Sequence, residues 1–415
     1  MPSPLPKTRK RWLGPALLSA LLASGCVGGA DRASVPAPLA SAAQVEHVEL
    51  ARAWGDRVTP EIRAVIERQY EQAYRAVQAG QRPASALRHA DFLAISGGGA
   101  DGAFAAGYLT GWSERGDRPQ FEVVTGVSTG ALAAPFVFLG PRYDGPLREV
   151  FTLYGDADIY NDLGLVGAIG RGLYDNAPLR RLIGRYLTEE MVEAIAAEYR
   201  TGRRLLIQTT NIDAQRPVIW DLSALAASGW PGRRERMIDV LLASAAIPAV
   251  FPPVRIDVQV DGAPRQELHV DGGTVSQIFF APPEIGLGGF ERRRFGGRRS
   301  RTLYLIRNGR LQPQYAVAEE STIGIARRAI ETLVKYQTIS DLVRLQLQTT
   351  AAQARLFYAA IPDRFTLTAK SEFDRDYMQQ LFAVGQEEGR RGSWRTKPPL
   401  TPIQAGDPPA ASPPR

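Results

Sequence analysis

Short apolar runs separated by stretches of helical character set the pattern of this chain. Phe92–Ile95 and Phe121–Val124 are apolar or nearly so, and each leads through a glycine-bearing turn into a helical stretch. Read along its length, the pattern predicts strand 92–95, helix 102–115, strand 121–125, helix 128–139, helix 178–200, strands 204–210 and 217–221, helix 235–245, a hairpin over 254–270, strand 302–306 and helix 322–347. Strands that alternate with helices and are apolar throughout are covered on both faces. The expected fold class is therefore α/β, with a mostly parallel central sheet and helices on both sides. Ahead of this core, Pro60–Arg88 reads as a helical lead-in with Ile62, Val65, Ile66 and Tyr70 on one face.

With 415 residues, 44% of them hydrophobic, the chain can bury a large core. The expected organisation is a targeting segment over 1–25, a flexible Ala/Pro/Ser-rich tether over 26–58, one domain over 59–390 with its motifs in 90–345, and a disordered Pro-rich tail over 391–415.

Three glycine-bearing motifs carry the candidate chemistry: Gly97-Gly98-Gly99-Ala100-Asp101-Gly102, then Gly126-Val127-Ser128-Thr129-Gly130, then Asp271-Gly272-Gly273. A serine on a sharp strand-to-helix turn needs small neighbours because the backbone is strained and other chains pass close by. Gly126 and Gly130 flank Ser128 at that spacing. The helix N-terminus behind the serine favours negative charge, so the Thr129 N–H and those of Gly97–Gly99 are candidate donors to an oxyanion. The first motif also satisfies a dinucleotide-binding fingerprint. The next strand, however, runs Val123-Val124-Thr125 into the serine turn and has no acidic residue at its end to hold a ribose.

Alternating Val254, Ile256, Val258 and Val260, the turn Asp261-Gly262 and the returning Glu267–Val270 put Asp271 at the end of a hairpin. Alone, Asp-Gly-Gly is as well read as a turn; with the other two motifs it reads as the partner of Ser128. Only His47, His89 and His269 exist and none follows Asp271, so the order Ser, Asp, His cannot be built with Asp271 as the acid. A Ser128–Asp271 dyad is the simpler reading. A triad of Ser128, His269 and Asp257 or Asp261 is the alternative.

These motifs resemble the patatin-like phospholipase family, as do Thr209-Thr210-Asn211-Ile212-Asp213, Pro217–Asp221 and Ala243–Pro253. The resemblance implies Ser128 as nucleophile, Asp271 as general base and Gly97, Gly98 and Gly99 as the oxyanion loop, with Gly102, Gly126, Gly130, Gly272 and Gly273 as structural glycines. It implies an acyl hydrolase of phospholipids or lysophospholipids, with neither cofactor nor metal. The family's loop usually carries Arg or Lys where this chain has Asp101, so a cation that shapes the loop or attracts phosphate is missing there. The competing class is a non-catalytic scaffold or binding module on the same fold.

Lys7, Arg9, Lys10 and Arg11 precede an apolar stretch from Trp12 to Ala23, too short to span a bilayer, and Ala23-Ser24-Gly25 precedes Cys26, the only cysteine. The stretch resembles a bacterial lipoprotein signal. It implies cleavage before Cys26, acylation of its sulfur and, with Val27 rather than Asp next, anchoring in the outer membrane. Removal of residues 1–25 takes away four of the 50 cations and no acids, leaving 46 against 43 and a net charge of +3 in place of +7. Nucleic-acid binding loses its support. Arg292, Arg293, Arg294, Arg298, Arg299 and Arg301 remain as a local basic run, read either as a solvated loop or as a loop that meets anionic headgroups. No protein partner is legible.

Overall fold

A computed structural model describes residues 32–46, 48, 50–163, 173–280, 291–292 and 296–397. The candidate leader, Cys26, Arg293, Arg294 and the tail beyond 397 lie outside the described residues. The elements are β1 (Arg52–Trp54), α1 (Pro60–Gln78), β2 (His89–Ile95), α2 (Gly102–Arg115), β3 (Val123–Val127), α3 (Thr129–Leu139), α4 (Asp144–Thr152), α5 (Ala177–Tyr186), α6 (Glu189–Arg200), β4 (Arg204–Asn211), β5 (Arg216–Asp221), α7 (Arg233–Ser244), β6 (Val254–Val260), β7 (Ala263–Asp271), β8 (Ser300–Arg307), α8 (Thr322–Ala351), β9 (Arg355–Ala360) and α9 (Arg375–Arg391), with short turns between them.

The strands form one sheet in the order β1-β5-β4-β3-β2-β8-β9, to which the β6–β7 hairpin is added through β7 against β4. β4, β3, β2, β8 and β9 run parallel, while β1, β5 and the hairpin pair antiparallel. The expected α/β class with a mostly parallel sheet holds. All the parallel strands therefore end at one edge, where β2 runs into the glycine loop, β3 into Ser128 and β8 into Arg307-Asn308. Among the described residues no helix is long and apolar enough to cross a membrane.

Several expectations are corrected. The single helix over 178–200 is two, because the chain leaves helical geometry at Leu187 and Thr188 caps α6 through its side chain, which accepts from Met191 N at 3.2 Å. Strand β9 and helix α9 went unread. Residues 32–54, expected as part of a tether, pack on the sheet: β1 pairs with β5, Gln44 bridges to Gln259, and Ala43, Val45 and Ala51 are buried. The Arg52 guanidinium holds the Glu267 carboxylate by two hydrogen bonds of 2.8 and 2.6 Å, both groups buried. The domain also runs past 390, since Trp394 is fully buried and Arg395 pairs with Tyr358.

Two arginines of the basic run are already paired within the fold. Arg299 pairs with buried Glu122 and Arg301 with Glu291 at 2.5 Å, at the start of β8 and thus at the opposite end of the sheet from Ser128. A cation held by a buried carboxylate is not available to a headgroup.

Helix α2 is buried from Gly102 through Trp112, so both of its faces need cover. The sheet takes one and α9 the other, at a distance only glycine permits. A Cβ on Gly107 would lie 2.0 Å from the Phe382 carbonyl oxygen and one on Gly111 2.0 Å from that of Gln386, while Gly385 and Gly389 of α9 meet the Phe104 and Tyr108 carbonyls at 2.3 and 2.0 Å. Gly107→Ala is expected to lower stability by about 3 kcal/mol or more, because backbone rather than a flexible side chain must move. Thermal unfolding of the variant checks this.

Candidate active site

Strand register brings the second and third motifs together. β3 lies beside β4 with Val127 opposite Gln208, and β4 lies beside β7 with Thr209 opposite Asp271. Ser128, one residue past Val127, thus meets Asp271 across the end of β4. The Ser128 side chain lies beside the Asp271 carboxylate, whose Oδ1 accepts from Gly273 N at 2.7 Å. Burial drives this carboxyl up to about 6, against the Ser128 side chain and the Gly273 N–H, which act to lower it. A carboxylate in this condition holds a proton more tightly than in water and is ionised at neutral pH, which suits a general base.

Ser128 has φ 54° and ψ −125°, a strained conformation for a residue with a side chain. The surroundings hold it there. The Ser128 N–H donates to Ser244 Oγ at 3.0 Å, and Ser244 in turn donates to the Gln208 carbonyl at 2.7 Å. A Cβ on Gly130 would come within 2.4 Å of the Ile95 carbonyl oxygen, so the turn closes only with glycine there. On the far side, a Cβ on Gly272 would reach the Gln208 carbonyl at 2.4 Å.

The glycine loop is clamped from β8. Asn308 donates its backbone N–H to Ser96 Oγ and its side-chain amide to Ser96 O, both at 2.8 Å, and the Arg307 guanidinium donates to Gly97 O at 3.1 Å and Ser96 Oγ at 3.2 Å. Gly98 has φ 159° and lies where a Cβ would be 2.3 Å from Asn308 O; Gly99 has φ 56°. One expected donor is already spent, since Gly97 N–H goes to the Gln277 carbonyl at 3.3 Å. That leaves Gly98, Gly99 and Thr129 as the candidate oxyanion donors.

Asp101 has its own partner, the Tyr377 hydroxyl at 2.5 Å, and burial raises its pKa. From β8, Arg307 is buried, lowered to about 10 by desolvation, and braces the Gly97 carbonyl. Arg307, Asn308, Ser244 and Gln208 were not singled out in the sequence. The available signals were Arg307-Asn308-Gly309 closing a predicted strand and Ser244 inside a family-like segment.

His269 is not beside the reaction. It is fully buried, with Nδ1 bonded to Thr209 Oγ1 at 2.9 Å and Nε2 to Glu267 at 3.1 Å, and desolvation lowers its pKa. Both ring nitrogens are occupied. Asp261 is exposed at the hairpin turn, and Asp257 bonds Gln266, so neither completes a triad.

An apolar pocket opens beside Ser128, with Gly99 and Thr129 in its wall and about 890 Å³ of empty space counted to its open mouth. Leu132 and Phe136 of α3, Phe151 of α4, Ile183 of α5 and Met191 of α6 line it. Thr129 Oγ1 is buried in this wall without a partner among the described residues. Also among the described residues, no cluster of three or more His, Cys, Asp or Glu is arranged to hold a metal ion.

Residues 93–282 match the sequence model of the Patatin family, described as patatin-like phospholipase. No curated protein matches the chain. Among solved structures, VipD from Legionella pneumophila aligns at TM-score 0.36 and 12% identity, covering 75% of this chain and 68% of its own. The human GIVD cytosolic phospholipase A2 aligns at TM-score 0.34 and 10% identity, covering 76% of this chain and 55% of its own.

Proposed function

We propose that this chain cleaves carboxylic ester bonds of phospholipids or lysophospholipids through an acyl-enzyme on Ser128. The observation that carries the reading is the buried Asp271 carboxylate, raised to about 6 and set beside Ser128, which itself lines an apolar pocket. Asp271 takes the hydroxyl proton as Ser128 Oγ bonds to the ester carbon. The oxyanion that forms is held by the N–H groups of Gly98, Gly99 and Thr129. Collapse of the intermediate expels the alcohol, which takes the proton back from Asp271. Water then repeats the sequence on the acyl-enzyme and frees the fatty acid.

Envelope anchoring through acylated Cys26, in the outer membrane, is part of this proposal and rests on the sequence pattern of residues 1–27. No cofactor enters the mechanism.

The apolar wall supports a fatty acyl chain as the group bound. Each methylene that enters contributes about 0.8 kcal/mol, close to a fourfold gain in kcat/KM, until the pocket is full. A series of nitrophenyl esters from acetyl upward is expected to show that rise. Leu132→Trp, at the pocket wall one turn past Thr129, is expected to cut turnover of long esters by about tenfold or more and spare the acetyl ester. Equal turnover at every chain length, or none at all, contradicts the proposal.

A further inference from the structure

The apolar pocket has a length that can be read from the helices along it. Thr129, Leu132 and Phe136 line it from α3 at helical spacing, so they form one stripe that starts at the nucleophile turn. From Thr129 to Phe136 the helix rises about 10 Å. Helix α5 lends a second stripe of the same length, from Leu179 through Ile183 to Tyr186.

Tyr186 stands at the end remote from Ser128. Its ring meets that of Phe136 edge-on, with centroids 5.9 Å apart and planes at 74°. Hydrogen bonds hold the ring in place. Its hydroxyl donates to Glu149 Oε2 at 3.0 Å and therefore accepts from the Tyr154 hydroxyl, also at 3.0 Å, which in turn accepts from the Arg185 guanidinium at 3.2 Å. Glu149 and Arg185 are exposed, so the Tyr186 ring lies between this end of the pocket and solvent. An aromatic side chain engaged at both its edge and its hydroxyl is a rigid wall.

The distance from nucleophile to wall fixes a chain length. Carbon–carbon bonds of about 1.5 Å that zigzag at near-tetrahedral angles advance about 1.25 Å per carbon, so about 10 Å holds about eight carbons. Each carbon up to the wall gains about fourfold in affinity. Carbons beyond it must fold back or stay outside, and they add nothing.

We propose that Tyr186 is the residue that sets acyl-chain selection at this site, with its ring as the end wall of a pocket fitted to about eight carbons. The inference rests on the acyl-hydrolase reading, so its test includes a readout that needs no turnover.

Methyl ketones are uncharged and cannot be hydrolysed. Titration calorimetry of the purified protein with ketones of increasing chain length is expected to show affinity rising about fourfold per carbon to about eight carbons and then levelling off. Tyr186→Ala is expected to carry the rise onward by about four carbons, with a gain of about tenfold or more for a ketone of about twelve carbons. Tyr186→Phe keeps the ring and should keep the parent's limit. Nitrophenyl esters read the same boundary in turnover: the ratio of dodecanoyl to octanoyl kcat/KM is expected to rise about tenfold in Tyr186→Ala and to stay at the parent value in Tyr186→Phe. A merely structural role for Tyr186 would lower all chain lengths alike. Parent affinity that keeps climbing past about twelve carbons, no ketone binding at all, or an unmoved limit in folded Tyr186→Ala overturns the proposal. The expected ketone series in a protein that cleaves none of the esters would support the wall and count against the hydrolase reading.

Discussion

Ser128→Ala and Asp271→Asn are each expected to lose about four orders of magnitude in ester turnover or more while remaining folded, because nucleophile and base act as a unit and removing either leaves only binding and the oxyanion donors. Asn keeps the oxygen that accepts from Gly273 N at 2.7 Å, so the loop is held while the proton acceptor is gone. His269→Ala provides the contrast. Its ring is bonded to Thr209 and Glu267, so the variant should keep turnover within about tenfold of the parent and lose stability instead, since a fully buried ring and its two hydrogen bonds are removed and a cavity is left. Steady-state kinetics on the three purified variants, matched for folding by thermal melts, reads both effects.

The second large effect runs in the opposite direction. Asp271 has a higher pKa in the fold than in the unfolded chain, where it titrates near the usual carboxylate value, so the fold favours its neutral form. That contribution is fully present below the unfolded pKa and is lost as pH rises through about 6. Above that pH the ionised carboxylate burdens the fold by about 3 kcal/mol. Asp271→Asn is therefore expected to be the more stable protein above pH 6, melting several degrees higher, with the advantage fading toward pH 4. Activity follows the same ionisation with the opposite sense: kcat/KM should fall tenfold per pH unit below about 6 in the parent enzyme. A variant less stable than the parent at pH 8 would mean that Asp271 is structural.

What the sequence made legible was whatever depended on local spacing. Gly126-x-Ser128-x-Gly130 after an apolar run states a strained turn, and the structure has Ser128 at positive φ between glycines that touch backbone. Helix 102–115 was readable to the residue because the glycine loop starts it and Gly116, in left-handed geometry, ends it. Contacts set by tertiary pairing were not legible. Helix α9 reads as a charged stretch because its buried face is narrow, with glycines at 385 and 389 in place of large apolar residues. The N-terminal segment looked like a tether because Ala, Pro and Ser signal flexibility in composition, whereas Arg52 against Glu267, 215 positions later, decides where it lies. One arginine of the basic run shows the same limit: Arg299 is matched by Glu122, 177 positions earlier, and charge counting within a window cannot see that partner. Asp101 puts no cation in the glycine loop, and the Arg307 that reaches this loop lies 206 positions further along the chain, where local spacing cannot show it.

These cases bear on function through one distinction. Ser128 and Asp271 are 143 positions apart in the chain, and what joins them is β4, which pairs with β3 on one side and β7 on the other. The most direct measurement of the account is covalent. A fluorophosphonate with a long alkyl chain, incubated with the purified protein at pH 8, is expected to add one phosphonyl group, and peptide mapping is expected to find it on Ser128. Asp271→Asn should slow that labelling by orders of magnitude, and His269→Ala should barely change it. Labelling on another residue, or equal labelling of the Asp271→Asn and parent proteins, would contradict the account.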